Sequence, residues 1–141
     1  MCGIFGYFVL KNNVTFNEFE RSTKLLYQIS ELRGQDSSGI SIMTDEQIIT
    51  YKEVMKPSLM IRRPMFQEAL SKGFENSSAS LSLIGHCRLV TNGSYSDNEN
   101  NHPLETSGFI GVHNGIILNA DSFLGQNPKN SFTREHLSSP S

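Results

Sequence analysis

The feature that most confines this chain lies at its start. Cys2 to Leu10 is an apolar run carrying Ile4, Phe5, Tyr7, Phe8 and Val9, and the signal for a helix follows within a few residues. Aromatic and β-branched residues in such a run predict a buried strand. Lys11-Asn12-Asn13 ends it with turn chemistry. Thr15 followed by Glu18 forms the S/T-x-x-E capping box. Phe16, Phe19, Thr23, Leu26 and Ile29 then recur at steps of three and four, with Glu18, Arg21, Lys24 and Gln28 on the other faces. That spacing predicts an amphipathic helix ending near Leu32.

Further along, Arg33 to Gly39 is a polar loop bracketed by glycines, and the runs Ile40–Met43 and Ile48–Val54 read as a hairpin closed by Thr44-Asp45-Glu46-Gln47. Leu59 to Leu70 holds a helical pattern that Pro64 interrupts or starts. A Ser/Asn/Gly-rich connector, Gly73 to Ser80, leads into the apolar run Leu81–Val90. A long polar loop, Thr91 to Thr106, precedes a strand from Phe109 to His113. Beyond Asn119 the composition turns polar, and no internal repeat or linker between two cores is visible. Hairpins beside helices predict an α+β fold with largely antiparallel sheets.

At 141 residues the chain has room for one domain. Its net charge of -2, with neither sign clustered, argues against a nucleic-acid partner or a polybasic membrane-surface role. No apolar stretch is long enough to span a bilayer, and the N-terminus lacks the pattern of a secretory signal. Two cysteines, Cys2 and Cys87, read as reduced thiols, so the expected location is cytoplasmic.

Four segments can carry chemistry. Cys2 follows the initiator Met1, whose removal is expected before a small residue; that leaves a thiol beside its own α-amine, a base with a pKa of roughly 7.7–8.0. The second is the Arg33–Gly39 loop. The third, Gly85-His86-Cys87-Arg88-Leu89-Val90-Thr91-Asn92-Gly93, puts at a strand end an arginine suited to a carboxylate. In the fourth, Val112-His113-Asn114-Gly115, a side-chain amide and a neighbouring backbone N–H can converge on one oxygen. Singly, each reads better as an inert cysteine, a turn, a surface arginine or an Asn-Gly hairpin.

Together, in this order and spacing, they resemble the glutaminase domain of class II glutamine amidotransferases, which are N-terminal nucleophile hydrolases. The resemblance rests on Cys2-Gly3-Ile4-Phe5-Gly6, Arg33-Gly34-Gln35-Asp36-Ser37-Ser38-Gly39, Gly85-His86-Cys87-Arg88 with Thr91 and Gly93, and His113-Asn114-Gly115-Ile116-Ile117. The glucosamine-forming branch looks nearest, through the R-G-x-D-S-x-G and H-x-R-x-x-T-x-G patterns. It implies a four-layer αββα sandwich with antiparallel sheets, residues 2–119 matching the N-terminal portion of such a domain and 120–141 forming a polar tail. It implies L-glutamine as substrate and no cofactor or metal. An acceptor synthase or synthetase domain or subunit, absent from this chain, would receive the ammonia.

Carried over by position, the resemblance makes Cys2 the nucleophile, Asn114 and the Gly115 N–H the oxyanion donors, and Arg88 the ligand of the glutamine α-carboxylate. Thr91, Asn92 and Gly93 would shape the pocket; Arg33 and Gly34 would pack against the N-terminus and orient its amine. The sequence departs from the pattern at Leu89, where the sugar-phosphate branch usually has Trp, and at Asn92, where it has His. From Asn119 to Ser141 there is no T-D-S-E-like stretch to bind the glutamine ammonium; neither Asp121 nor Glu135 stands in that setting. The expectation is therefore the front portion of a glutaminase domain.

Three other readings compete. A metal site built from Cys2, His86, Cys87, His102 and His113 lacks ligand spacing, and adjacent His86 and Cys87 on a strand face opposite sides. A catalytically silent or truncated module with a binding or regulatory role is favoured by the missing acid and opposed by the retained Cys2, Arg88, Asn114 and Gly115. A hydrolase of another amide is disfavoured by Arg88 and the His-Asn-Gly triplet. His102 and His136 read as ordinary loop histidines.

Overall fold

The computed structural model describes residues 1–89, 98–106 and 109–115. Strand β1 (Gly3–Leu10) is followed by helix α1 (Phe16–Ser30), the hairpin β2 (Ser37–Met43) and β3 (Ile48–Glu53), short helix α2 (Pro57–Met60), helix α3 (Pro64–Glu75) and strand β4 (Ser80–Arg88). Two short strands, β5 (Leu104–Thr106) and β6 (Phe109–Gly111), pair with each other. The main sheet has the order β1-β4-β2-β3 and every neighbour in it is antiparallel. This is the α+β, antiparallel architecture expected from the hairpin signals.

The capping box forms as read: Glu18 N–H donates to Thr15 Oγ1, while the Glu18 carboxylate accepts from the Thr15 backbone N–H at 2.8 Å. The inward face of α1, however, runs through Phe19, Thr23, Tyr27 and Ser30, while Ile29 is exposed. Tyr27 sets that phase. It is wholly buried because its hydroxyl has an acceptor in the Gly39 carbonyl, 2.6 Å away, so the ring is buried without an unpaired polar atom. The helix stops at Ser30, two residues before the expected end.

One face of the sheet presents Val9, Leu81, Leu83, Ile40 and Ile42, with Phe5 and Tyr7, to Phe19, Tyr27, Met60, Phe66 and Leu70 of the helices. Pro64 starts α3 rather than kinking one longer helix, since a proline N–H is not missed in a first turn. The expectation of a buried first strand holds for one face only. Among the described residues β1 is an edge strand, and alternate residues Ile4, Phe8 and Leu10 are 44%, 63% and 52% exposed. A strand's side chains alternate between two faces, and α1 covers only one of them.

The polar loop is also shorter than expected. Ser37 and Ser38 are buried members of β2, paired with Arg88 and Cys87 of β4. Their hydroxyls are satisfied, Ser37 donating to Asn101 Oδ1 and Ser38 to the Met55 carbonyl, each at 2.8 Å. Satisfied hydroxyls cost little to bury, which is how serines replace apolar residues in this strand. β4 ends at Arg88 and β6 at Gly111, both earlier than read; Val90 lies outside the described residues. Among the described residues no helix is long and apolar enough to cross a membrane.

Candidate active site

Antiparallel pairing decides where the chemistry collects. The first residue of β1 pairs with Cys87 near the end of β4, and the first residue of β2 pairs with Arg88, so the start of two strands and the end of a third share one edge. Cys2 sits there immediately before β1. Asn114, 112 positions later, reaches it with both ends of its side-chain amide. Its Oδ1 accepts from the Cys2 backbone nitrogen at 3.1 Å and its Nδ2 donates to the Cys2 carbonyl at 3.2 Å. The Cys2 thiol lies 3.8 Å from the Leu89 carbonyl oxygen.

The segment carrying Asn114 is tied to the sheet by His86, whose Nε2 lies 3.3 Å from the His113 carbonyl. A carbonyl only accepts, so this bond places the imidazole proton on Nε2. His86 stacks on His102 with ring centroids 4.6 Å apart. Burial drives both histidines below their ordinary value, His86 to about 4 and His102 to about 3, and each is therefore neutral at pH 7. His102 is thus not an ordinary loop histidine. Its carbonyl and Pro103, joined to it by a cis peptide bond, lie over Gly39, where an added Cβ would stand within 2.8 Å of the proline ring. His136 lies outside the described residues.

Cys87 faces the core, as strand alternation required of a neighbour of His86, and is wholly buried. Burial, helped by the charges of Glu31 and Cys2, pushes its thiol up to about 12, so it stays protonated and unreactive. Cys2 is the accessible thiol of the two. Among the described residues no group of three His, Cys, Asp or Glu is placed to hold a metal ion.

Arg88 projects from the end of β4 with Nη1 donating to the Asn101 side-chain oxygen at 2.8 Å and to the Asn100 carbonyl at 3.2 Å. Gly34 is packed beneath this strand end: a Cβ there would stand against the Cys87 carbonyl oxygen and 2.6 Å from the Arg88 carbonyl carbon. The next turn is fastened by Asp36 N–H donating to the Arg88 carbonyl at 2.9 Å. Arg33 is exposed and its Nη2 lies 3.9 Å from Met1 Sδ, so it stands beside the N-terminus. Gly115 follows Asn114 at the surface. Thr91, Asn92 and Gly93 lie outside the described residues, as does the segment 116–141.

Gly34→Ala should therefore shift the backbone that presents Arg88. The expected result is a loss of about 1–3 kcal/mol in urea-denaturation stability, as for other overpacked sites. Alanine accepted at that position with an unchanged denaturation midpoint would contradict the close approach. Sequence reading missed Asn101 and His102. Both fall in a stretch rich in Asn, where turn propensity is the stronger local signal.

No family model matches the chain. Curated relatives do. Glutamine–fructose-6-phosphate aminotransferase (isomerizing) of Halalkalibacterium halodurans is 34% identical over 120 residues, 84% of this chain and 17% of that protein. The enzyme of the same name from Staphylococcus aureus is 34% identical over 128 residues, covering 89% of this chain and 19% of the relative. That of Neisseria meningitidis is 36% identical over 123 residues, 86% and 18% respectively. The aligned part of the chain thus spans less than a fifth of the length of these relatives.

Proposed function

We propose that this chain, which belongs with the class II glutamine amidotransferase domains of the glutamine:fructose-6-phosphate type, works as the glutaminase half of a glutamine-dependent amidotransferase. One observation carries the reading: the Asn114 carboxamide lies in hydrogen-bond contact with Cys2, the more accessible of the two thiols. On this reading the four-stranded sheet is one of the two sheets of an αββα sandwich within residues 2–119.

Once Met1 is removed, Cys2 bears a free α-amine. The amine takes the thiol proton as Sγ attacks the side-chain carboxamide carbon of glutamine. The oxyanion that forms is held by Asn114 Nδ2, released from the Cys2 carbonyl, and by the Gly115 N–H. Collapse returns the proton to the departing nitrogen, releases ammonia and leaves a γ-glutamyl thioester on Cys2. Water then attacks the thioester, giving glutamate and the free thiol. Arg88 binds the α-carboxylate, which fixes the substrate without taking part in bond making. The ammonia passes to an acceptor domain or subunit, as the names of the relatives suggest for a sugar-phosphate acceptor.

The test is incubation of the full chain with a diazo-ketone analogue of glutamine, followed by peptide mass spectrometry. The adduct is expected on Cys2 and not on Cys87. Labelling of Cys87 instead, or no adduct on a preparation with Cys2 at its N-terminus, refutes the reading.

A further inference from the structure

The segment that would supply the oxyanion donors lies beyond the sheet. β6 ends at Gly111, and residues 112–115 belong to no strand. Among the described residues two sets of hydrogen bonds hold this segment: those between the Asn114 side chain and Cys2, and the one from His86 Nε2 to the His113 carbonyl. The first set is loosened in the reaction, because Asn114 Nδ2 has to leave the Cys2 carbonyl to meet the oxyanion. The bond from His86 involves no reacting group and persists through the step.

His86 is 1% exposed on β4, with its ring stacked on His102 at 4.6 Å between centroids. Its second nitrogen, Nδ1, is buried and meets no hydrogen-bonding group among the described residues. A leucine of similar size would fill the same place without burying an unpaired nitrogen, so packing alone does not call for histidine. The bond donated to His113 does. Resting on the glutaminase reading, we propose that His86 is a positioning residue for the oxyanion step: its Nε2–H holds the 113–115 segment in place while Asn114 turns from Cys2 to the oxyanion.

The test compares His86→Leu with His86→Gln in the full chain. Leu removes the donor; Gln carries an N–H at about the reach of Nε2. In His86→Leu kcat falls about ten- to a hundredfold, since the oxyanion donors are misplaced rather than deleted and deleting one costs roughly a hundred- to a thousandfold. KM for glutamine stays within about threefold, because the oxyanion exists only after attack. In His86→Gln kcat returns to within a few-fold of the unsubstituted chain. A residue that only supports the fold moves KM as well, because Arg88 follows two positions along on the same face of β4. A rise in KM that matches the fall in kcat, an undiminished kcat in Leu, or a Gln variant no better than Leu overturns the proposal. If Leu prevents folding, His86→Asn replaces it, its amide stopping short of the His113 carbonyl.

A second measurement needs no turnover. In a nitrogen–proton correlation spectrum the Asn114 side-chain amide and the Gly115 N–H give single, sharp signals in the unsubstituted chain and in His86→Gln, and shift or broaden in His86→Leu. Unchanged signals in His86→Leu overturn the hold on the segment. If the unsubstituted chain releases no ammonia from glutamine, the glutaminase reading fails, and these spectra alone decide whether His86 positions Asn114 and Gly115.

Discussion

Ammonia release from glutamine is expected to fall by about six orders of magnitude in Cys2→Ala, the scale seen when a covalent nucleophile is deleted. It is expected to fall by roughly two to four orders when Cys2 is kept but its nitrogen is locked in a peptide bond by an uncleavable N-terminal extension, the usual worth of a positioned general base. The second loss is the more telling. In the structure the Cys2 nitrogen is already aimed at Asn114 Oδ1, at 3.1 Å, so an extension need not disturb the site's geometry. It changes chemistry alone, turning an amine that can take a proton into an amide that cannot. Glutaminase assays on matched preparations, with the N-terminus verified by mass spectrometry, separate the two. Full activity with the extension in place would refute the α-amine mechanism, while full activity of Cys2→Ala would refute the nucleophile.

The second large effect concerns acid. His86 and His102 are held neutral by burial, their pKa values lowered from 6.5 to about 4 and about 3. Burial is the leading cause in each; for His86 the bond to the His113 carbonyl opposes it, and the charge of Arg88 adds to it in both. A depressed histidine stabilises the fold fully above its unfolded pKa. Below about pH 6.5 the unfolded chain takes up protons that the folded chain refuses, and stability drains away until the folded pKa is reached. For His86 alone that window runs from about 6.5 to about 4 and corresponds to about 3 kcal/mol. Urea midpoints measured from pH 7.5 to pH 4.5 should fall steeply below pH 6.5, and replacing His86 by Gln should flatten the curve. A midpoint that is level down to pH 4.5 would show that these rings are not buried as described. Because His86 ties down the segment bearing Asn114, glutaminase activity should be lost over the same range.

Much of this was legible from local signals. The capping box of Thr15 and Glu18, the hairpin around Thr44–Gln47 and the proline at the head of α3 are short-range devices, and short-range devices act the same way in any fold. The motif residues Cys2, Arg88 and Asn114 stand out in the sequence because four segments agree in order and spacing. The phase of α1 was misread because Ile29 and Tyr27 are both apolar enough to face inward. Only a distant acceptor, the Gly39 carbonyl, settles which one does.

Local patterning along the chain was enough for most of the elements, for their antiparallel character and for the chemical groups available; β5, inside the expected polar loop, escaped it. The tertiary structure alone decided which groups meet. Strand order brings the start of β1, the start of β2 and the end of β4 to one edge, so Cys2, Ser37 and Arg88 become neighbours although they are far apart in the chain. It also buried His86 on β4, drew Asn101 and part of His102 in from a stretch that composition assigns to a polar loop, and made one cysteine inert while leaving the other accessible. The reason is physical. Propensity, capping and turn chemistry depend on a few adjacent residues, whereas burial, desolvation and hydrogen-bond partnership depend on what the rest of the chain places alongside.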